Sequence, residues 1–409
     1  MDKQKRILVV GAGVAQINSI NTLMRLGYFV IAVDGDEDAP GLESANQFKV
    51  CDIRNYKELI KVAESYKANA ITSFCTDVPI VSIAKACEHL NLKGLNSEFA
   101  ELFINKKFQR LLMKKNDISV PKFSTFESIK ELKLILKDFN SAIVIKPVDS
   151  SGSKGVKYFD DISLVDFDYL KEVLTLSVSG QGIIETFIKG EEIAVDGFVI
   201  DGACRILSIC SKLRTTPPYL LDTELRFPSN LSEEQITKVI NLTEKIVSVS
   251  KMNDSPFHIE MINSKEGPLL VELAARGAGF NVFDKIIPHV SGVDTVSIQT
   301  SLALGNRPII KDTERNAAIL HFISSNTEGI VERISNKDSL LSIHGVEEVK
   351  FYVESGDKVY PLKSGQDRLG YILCLSDNLK ECETALKQAK RKLILELKNE
   401  TRLEKRNSQ

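Results

Sequence analysis

The chain has 409 residues, 43% hydrophobic and 26% charged, with a formal net charge of −2. That length implies roughly two to four domains, and the near-neutral charge argues against a nucleic acid or an anionic membrane as main partner. No apolar run approaches the ~18 residues of a membrane span, and MDKQKR leads straight into a core strand, so no leader or spanning helix is expected.

Residues 1–95 alternate strand and helix. Strands are expected at Arg6–Val10, Tyr28–Val33 and Ala70–Phe74, and helices at Gln16–Leu26, Tyr56–Tyr66 and Val78–Leu90. Short, wholly apolar strands between helices predict a parallel sheet covered on both faces. Gly11-x-Gly13 follows the first strand and Asp34 ends the second, as in a dinucleotide fingerprint. Gln16 stands at the third glycine position, so the pair is also read as a tight turn into a helix N-terminus. Glu98–Lys115 is helical. Then come a helix at Glu127–Phe139, a strand at Ala142–Lys146, a helix near Leu164–Leu174 and a strand at Gly182–Glu185. This unit, about 120–187, is compact enough for a mobile lid. Residues 192–211 read as two antiparallel strands around Asp201-Gly202. Leu213–Ser229 reads as irregular, and Ser232 caps a helix through Ser250. Asp294–Leu304 is helical. Residues 315–376 are β-rich, with hairpin signals at Glu354–Asp357 and Lys363–Gln366, and a charged helix runs from Lys380 to about Leu397. Its basic stretch KQAKRKL reads as a solvated face. Seven scattered cysteines without a CxxC imply reduced thiols and a cytoplasmic setting.

Three stretches carry chemistry. Phe257–Ile262 and Pro268–Ala274 read as strands joined by Asn263–Gly267. A symmetric hairpin opposes Glu260 to Glu272, Met261 to Val271 and Ile262 to Leu270. Ile259, Met261, Val271 and Leu273 then share an apolar face. At ~5 Å and an effective dielectric of ~20, two carboxylates repel by roughly 3 kcal/mol. A divalent cation reverses that sign, and hard oxygen ligands suit Mg²⁺; the bland alternative is two solvated glutamates. Lys146 precedes the loop Asp149–Gly155, whose serines and glycines turn backbone N–H groups toward an anion. That loop lacks the GxxxxGK[ST] pattern and also reads as a mobile turn. Ile183–Glu192 runs from an apolar strand through a hinge to an acidic pair. His258, on the face of the glutamates, is read as a hydrogen-bonding support.

Taken in order, INKKFQRLLMKKNDISVP, IVIKPVDSSGSKGV, IIETFIKGEEIAVDG and FHIEMINSKEGPLLVELAARGAGF resemble the ATP-grasp superfamily, specifically its carboxylate–amine ligases. GAGVAQ…VDGDEDAPG looks like that family's pre-ATP-grasp domain, and ESGDKVYPLKSGQDRLGYIL like the C-terminal lobe of its L-amino acid ligase branch. The resemblance implies an α/β protein with an N-terminal doubly wound domain (1–97), an ATP-grasp core with a lid (98–310) and a β-rich C-terminal lobe (311–409). It implies ATP and Mg²⁺ as cofactors, with Mn²⁺ as the alternative ion. Lys106 (Lys107 if the register slips) and Lys146 match the phosphate lysines, and Ser151, Gly152, Ser153 and Gly155 match the phosphate loop. Glu185, Phe187 and Ile188 match the adenine hinge and Glu192 the ribose carboxylate; Met261 is placed with the nucleotide. Glu260 and Glu272 match the metal pair, and Arg276, with Lys146, the catalytic cations. Many members carry an Asn two residues after the second metal Glu, where this chain has Ala274.

The implied reaction joins a small carboxylate to an amine through an acyl phosphate, releasing ADP and phosphate; a homodimer is the assembly considered. Rival readings are a purine-pathway or biotin-carboxylase-like ATP-grasp enzyme, an NAD-linked oxidoreductase resting on Gly11, Gly13 and Asp34, and an ATP-binding regulator without turnover.

Overall fold

The computed structural model describes residues 4–311 and 315–398; the remainder of the expected C-terminal lobe lies outside the described residues. The chain divides into two compact units. The first comprises Met1–Val120, Ile193–Ile209 and Leu231–Glu314, the second Pro121–Glu192, Cys210–Asn230 and Arg315–Gln409.

In the first unit β1 (Arg6–Val10), β2 (Phe29–Asp34), β3 (Gln47–Val50) and β4 (Ala70–Thr72) form a parallel sheet ordered β3-β2-β1-β4. Helices Ile17–Arg25, Tyr56–Tyr66 and Ile80–His89 accompany it. Ile7, Val9, Val30 and Ala32 pack in one apolar cluster and Leu8, Val10, Ile31 and Val33 in another, so both faces are covered. β3 escaped the sequence reading because all four residues are exposed, and an exposed edge carries no burial pattern.

The turn after β1 is sealed by the chain itself. Gly11, at φ +93°, donates to Val33 O at 2.7 Å. Ala12 N–H donates to Asp34 Oδ2 at 2.6 Å, so the carboxylate holds a donor that a dinucleotide pyrophosphate would meet. Gln16 is 2% exposed and accepts from Phe74 N–H at 3.2 Å, tying this turn to the loop after β4.

The hairpin is longer and tighter than expected: Ser255–Ser264 pairs with Gly267–Ala274 around the two-residue turn Lys265-Glu266. Glu260 opposes Glu272 as expected. Beyond them the register shifts, and Met261 opposes Leu270 and Ile262 opposes Leu269. Val271 is the extra residue of a bulge. Leu270, not Val271, therefore joins Ile259, Met261 and Leu273 in the core, under the helix Glu233–Ser250. Ser232 and Gln235 close a capping box at that helix.

In the second unit, Phe123–Phe126, Gly182–Thr186, Ile143–Pro147 and Lys157–Phe159 form an antiparallel sheet in that order, beside helices Ile129–Ile135 and Phe167–Leu176. The stretch expected to be irregular is ordered: Ser211–Arg214 pairs with Asp222–Arg226. The strand Asp222–Phe227 continues onto Ala317–Ile323, which pairs with Gly370–Ser376 and through it with Val346–Phe351. Neither expected C-terminal hairpin forms. The turn after Val346–Phe351 leads to Lys358–Val359, which pairs with Gly329–Ile334 in a separate sheet. The last helix stops at Lys392, and Leu395–Lys398 is a third strand of that sheet. Leu393 and Leu397 have helical spacing, but pairing with Gly329–Ile334 prevails over it.

Glu224, 3% exposed, gathers Arg226 at 2.6 Å, Lys390 at 3.1 Å and His321 at 3.3 Å. Burial disfavours its charge, but His321, Lys390 and Arg226 outweigh it and lower its pKa to about 2. A depressed carboxylate pKa stabilises the fold above the unfolded value of ~4.3 and loses that contribution as pH falls through the folded value. Thermal melting of the wild type should therefore drop steeply between about pH 4 and 2, and Glu224→Gln should be less stable at pH 7 with a flatter acid limb. Equal acid limbs would refute the role.

Candidate active site

The first unit's site grows from the opposed pair. Glu260 and Glu272 face one another across the hairpin, and each has its own cation. Lys106 Nζ donates to Glu272 Oε1 at 2.9 Å. His258 Nε2 lies 3.4 Å from Glu260 Oε1, and its Nδ1 lies 2.8 Å from Asp196 Oδ1. Burial disfavours the imidazolium, but Asp196 and then Glu260 outweigh it and push the His258 pKa up to about 9.

Lys106 is placed by its helix. Lys106–Lys115 begins at the N-cap Asn105, whose side chain accepts from Lys107 N–H. One turn on, Gln109 bonds both backbone groups of Leu273, at 3.0 and 2.8 Å. Arg110 donates to the carbonyl of the bulged Val271 at 2.9 Å. Gly267–Ala274 is the edge of its sheet, and these two buried side chains satisfy polar groups that an edge leaves open. Lys106 thereby stands over Glu272, while Lys107 belongs to the next helical position.

Arg276 follows the hairpin. Its Nε and Nη2 donate to the two oxygens of Asp77 at 2.8 and 2.9 Å, and Nη1 donates to Gly277 O at 3.0 Å. Burial opposes its charge; Asp77, and secondarily Glu272, hold it above its ordinary value. Met261 is 0% exposed and sits in the core beneath the hairpin, on the face opposite Glu260.

In the second unit Lys146 and Glu185 are diagonal neighbours on adjacent strands. Their ion pair is 2.6 Å long and both side chains are buried. Phe187 N–H donates to Ala142 O at 2.8 Å, and its ring meets Tyr158 edge-on at 4.7 Å; Phe187 and Ile188 are half-buried. In the loop, Gly152, Ser153 and Gly155 have φ of +68°, +57° and +70°. Gly155 has a packing reason as well, because a Cβ would lie 2.9 Å from Leu176, whereas one on Gly152 would meet nothing. Ser151 and Ser153 are half-buried.

Glu192 is 4% exposed and held by Lys212 at 3.1 Å and by Arg214. The same cations reach Asp222 at 3.1 and 3.5 Å. Sequence reasoning missed Lys212, Arg214 and Asp222; two cations at alternate positions of an apolar stretch were the available signal. It also missed Asp77 and Asp196, which carry no local signal.

Among the described residues no group of three or more His, Cys, Asp or Glu side chains could hold a metal. Mg²⁺ beside nucleotide phosphates asks less: one or two carboxylates, with phosphate and water oxygens completing the shell. Glu260 and Glu272 fit that demand, and Ala274 adds no oxygen. No helix among the described residues is long and apolar enough to cross a membrane.

The ATP-grasp domain family matches residues 139–284, and the L-amino acid ligase C-terminal domain 2 family matches 321–398. Alanine–anticapsin ligase of Bacillus subtilis is 27% identical over 59% of this chain, which spans about half of that enzyme, 55%. Phosphoribosylamine–glycine ligase of Methanosphaera stadtmanae is 25% identical over 94% of each chain. The crystal structure of an L-amino acid ligase from Bacillus licheniformis superposes with a TM-score of 0.83 at 20% identity, covering 98% of this chain and 100% of that one. The chain thus carries an ATP-grasp domain followed by an L-amino acid ligase C-terminal domain, and the named enzymes it resembles here are ligases.

Proposed function

We propose that the chain activates the carboxylate of an amino acid or other small acid with ATP and joins it to an amine, with Mg²⁺ or Mn²⁺ as the metal. The observation that carries this reading is the opposed Glu260–Glu272 pair with Lys106 bonded to Glu272. A bound Mg²⁺ would be held by these glutamates and would lower the charge of the phosphates.

The chain's own residues have distinct tasks. Lys106 and Lys146 meet phosphate oxygens, and the backbone of Ser151–Gly155 cradles them. Glu185 and the Phe187–Ile188 backbone receive the adenine, and Glu192 the ribose. The acid's carboxylate oxygen attacks the γ-phosphorus and ADP leaves. Arg276 steadies charge on the transferred group. The amine then attacks the acyl carbon, phosphate leaves, and the amine's proton passes to solvent. Water would destroy the acyl phosphate, so residues 120–187 act as a lid. The lobes 1–97, 98–310 and 311–409 are the proposed functional division. The amino acid reading is supported by the L-amino acid ligase match at 321–398. The purine alternative is favoured by the long match to phosphoribosylamine–glycine ligase. A cytoplasmic location and a homodimer complete the proposal.

Phosphate release with Mg-ATP should be measured over pairs of the twenty common L-amino acids, with glycine plus phosphoribosylamine as a separate arm and mass spectrometry of the product. An amide from an amino acid pair is expected; turnover only in the purine arm selects that alternative, and ATP binding without turnover in any pair selects a regulator. Glu272→Gln should abolish phosphate release with the melting midpoint retained, and full activity would remove the metal assignment. Lys146→Met should lower stability by about 3–5 kcal/mol, because it takes the cation from a buried carboxylate. Lys146→Met with Glu185→Leu should recover the midpoint but not ATP turnover. Recovery of both would reduce the pair to a structural one.

A further inference from the structure

We propose that Asp77 is a positioning residue for Arg276, fixing the guanidinium so that its outer fork stays turned to the transferred phosphoryl group. This rests on the reading of Arg276 given above. Arg276 and Asp77 are both largely buried, with side chains 12% and 13% exposed. Asp77 lies in the loop after β4, far from Arg276 in sequence, yet it receives two of its N–H groups, at 2.8 and 2.9 Å.

A guanidinium has five N–H donors in a planar fork. Asp77 takes one from Nε and one from Nη2, and Gly277 O takes one from Nη1. One hydrogen remains on each terminal nitrogen. That pair matches two oxygens of a phosphate or carboxylate, so the three existing bonds select which edge of the group is offered.

The surroundings make the selection rigid. Gly277 N–H donates to Phe74 O at 2.8 Å, which clamps the arginine's own loop to the loop bearing Asp77. A Cβ on Gly277 would lie 2.1 Å from the Phe283 side chain, so the backbone here packs closely against Phe283 and admits no side chain. Glu272 also attracts the guanidinium, less strongly than Asp77. Asp77 therefore orients Arg276 through two direct hydrogen bonds.

The test is a double-mutant cycle in the full chain, read as phosphate release with Mg-ATP and the fastest amino acid pair. Asp77→Ala should lower kcat about 10- to 100-fold with the KM for ATP changed less than about threefold, the scale seen when a supporting partner of an active-site group is removed. Arg276→Ala should cost at least as much. Adding Asp77→Ala to Arg276→Ala should then cost less than about twofold, since Asp77 acts only through the arginine. Asp77→Glu should recover part of the activity. Asp77→Asn, of equal size, keeps one acceptor and covers the case in which the alanine variant does not fold; melting midpoints monitor this. Additive losses would mean a general structural role and overturn the proposal. A raised KM for either amino acid with kcat retained would mean that Asp77 touches substrate, and would overturn it too. Full activity of Arg276→Ala would remove the reading of the arginine itself, as would absence of turnover in every pair.

Discussion

Two carboxylates opposed on one hairpin are the constraint on which the first unit depends. Glu260 and Glu272 are held face to face by strand register, where like charges destabilise a sheet. The fold answers with separate cations brought from separate segments: Lys106 from a helix start, and His258 from the hairpin itself, backed by Asp196. Much of the packing serves this end. The helix that brings Lys106 is anchored on the edge strand by Gln109 and Arg110. The bulge at Val271 lets Leu270 fill the core without moving Glu272 from its place opposite Glu260.

The second unit uses the same device with shorter reach. Lys146 and Glu185 neutralise each other on adjacent strands, and Glu192 shares Lys212 and Arg214 with Asp222. A buried ion pair is a poor source of stability, since a well-packed apolar pair often serves as well. Under the proposed function, what an apolar pair lacks is charge that could exchange an internal partner for a phosphate or a hydroxyl.

What could be read from sequence follows from how local the cause is. Alternation placed Glu260 opposite Glu272, and continuous apolar runs marked β1 and β2, because strand period and burial are written residue by residue. The bulge was not visible, since it depends on whether Val271 or Leu270 fits the core better. β3 and Leu395–Lys398 were missed because their pairing partners, not their own composition, make them strands. Asp77, Asp196 and Asp222 join the charged clusters only through tertiary contact, and no spacing announces them. Gln16 is an intermediate case. As a missing glycine it weakened the dinucleotide fingerprint, and its bond to Phe74 N–H gives that position a different use.

The same register places Ala274 beside the site. It stands directly opposite His258, so the two side chains point to one face with Cβ atoms ~5 Å apart. His258 reaches away from it, to Asp196 on the neighbouring strand beyond the hairpin and to Glu260 on its own strand, and Ala274 is 1% exposed. Ala274 thus adds no oxygen beside the two glutamates, while His258 steadies Glu260 from within its own strand. A metal bound here would depend on two carboxylates and on oxygens brought by the nucleotide, which ties its retention to the presence of ATP.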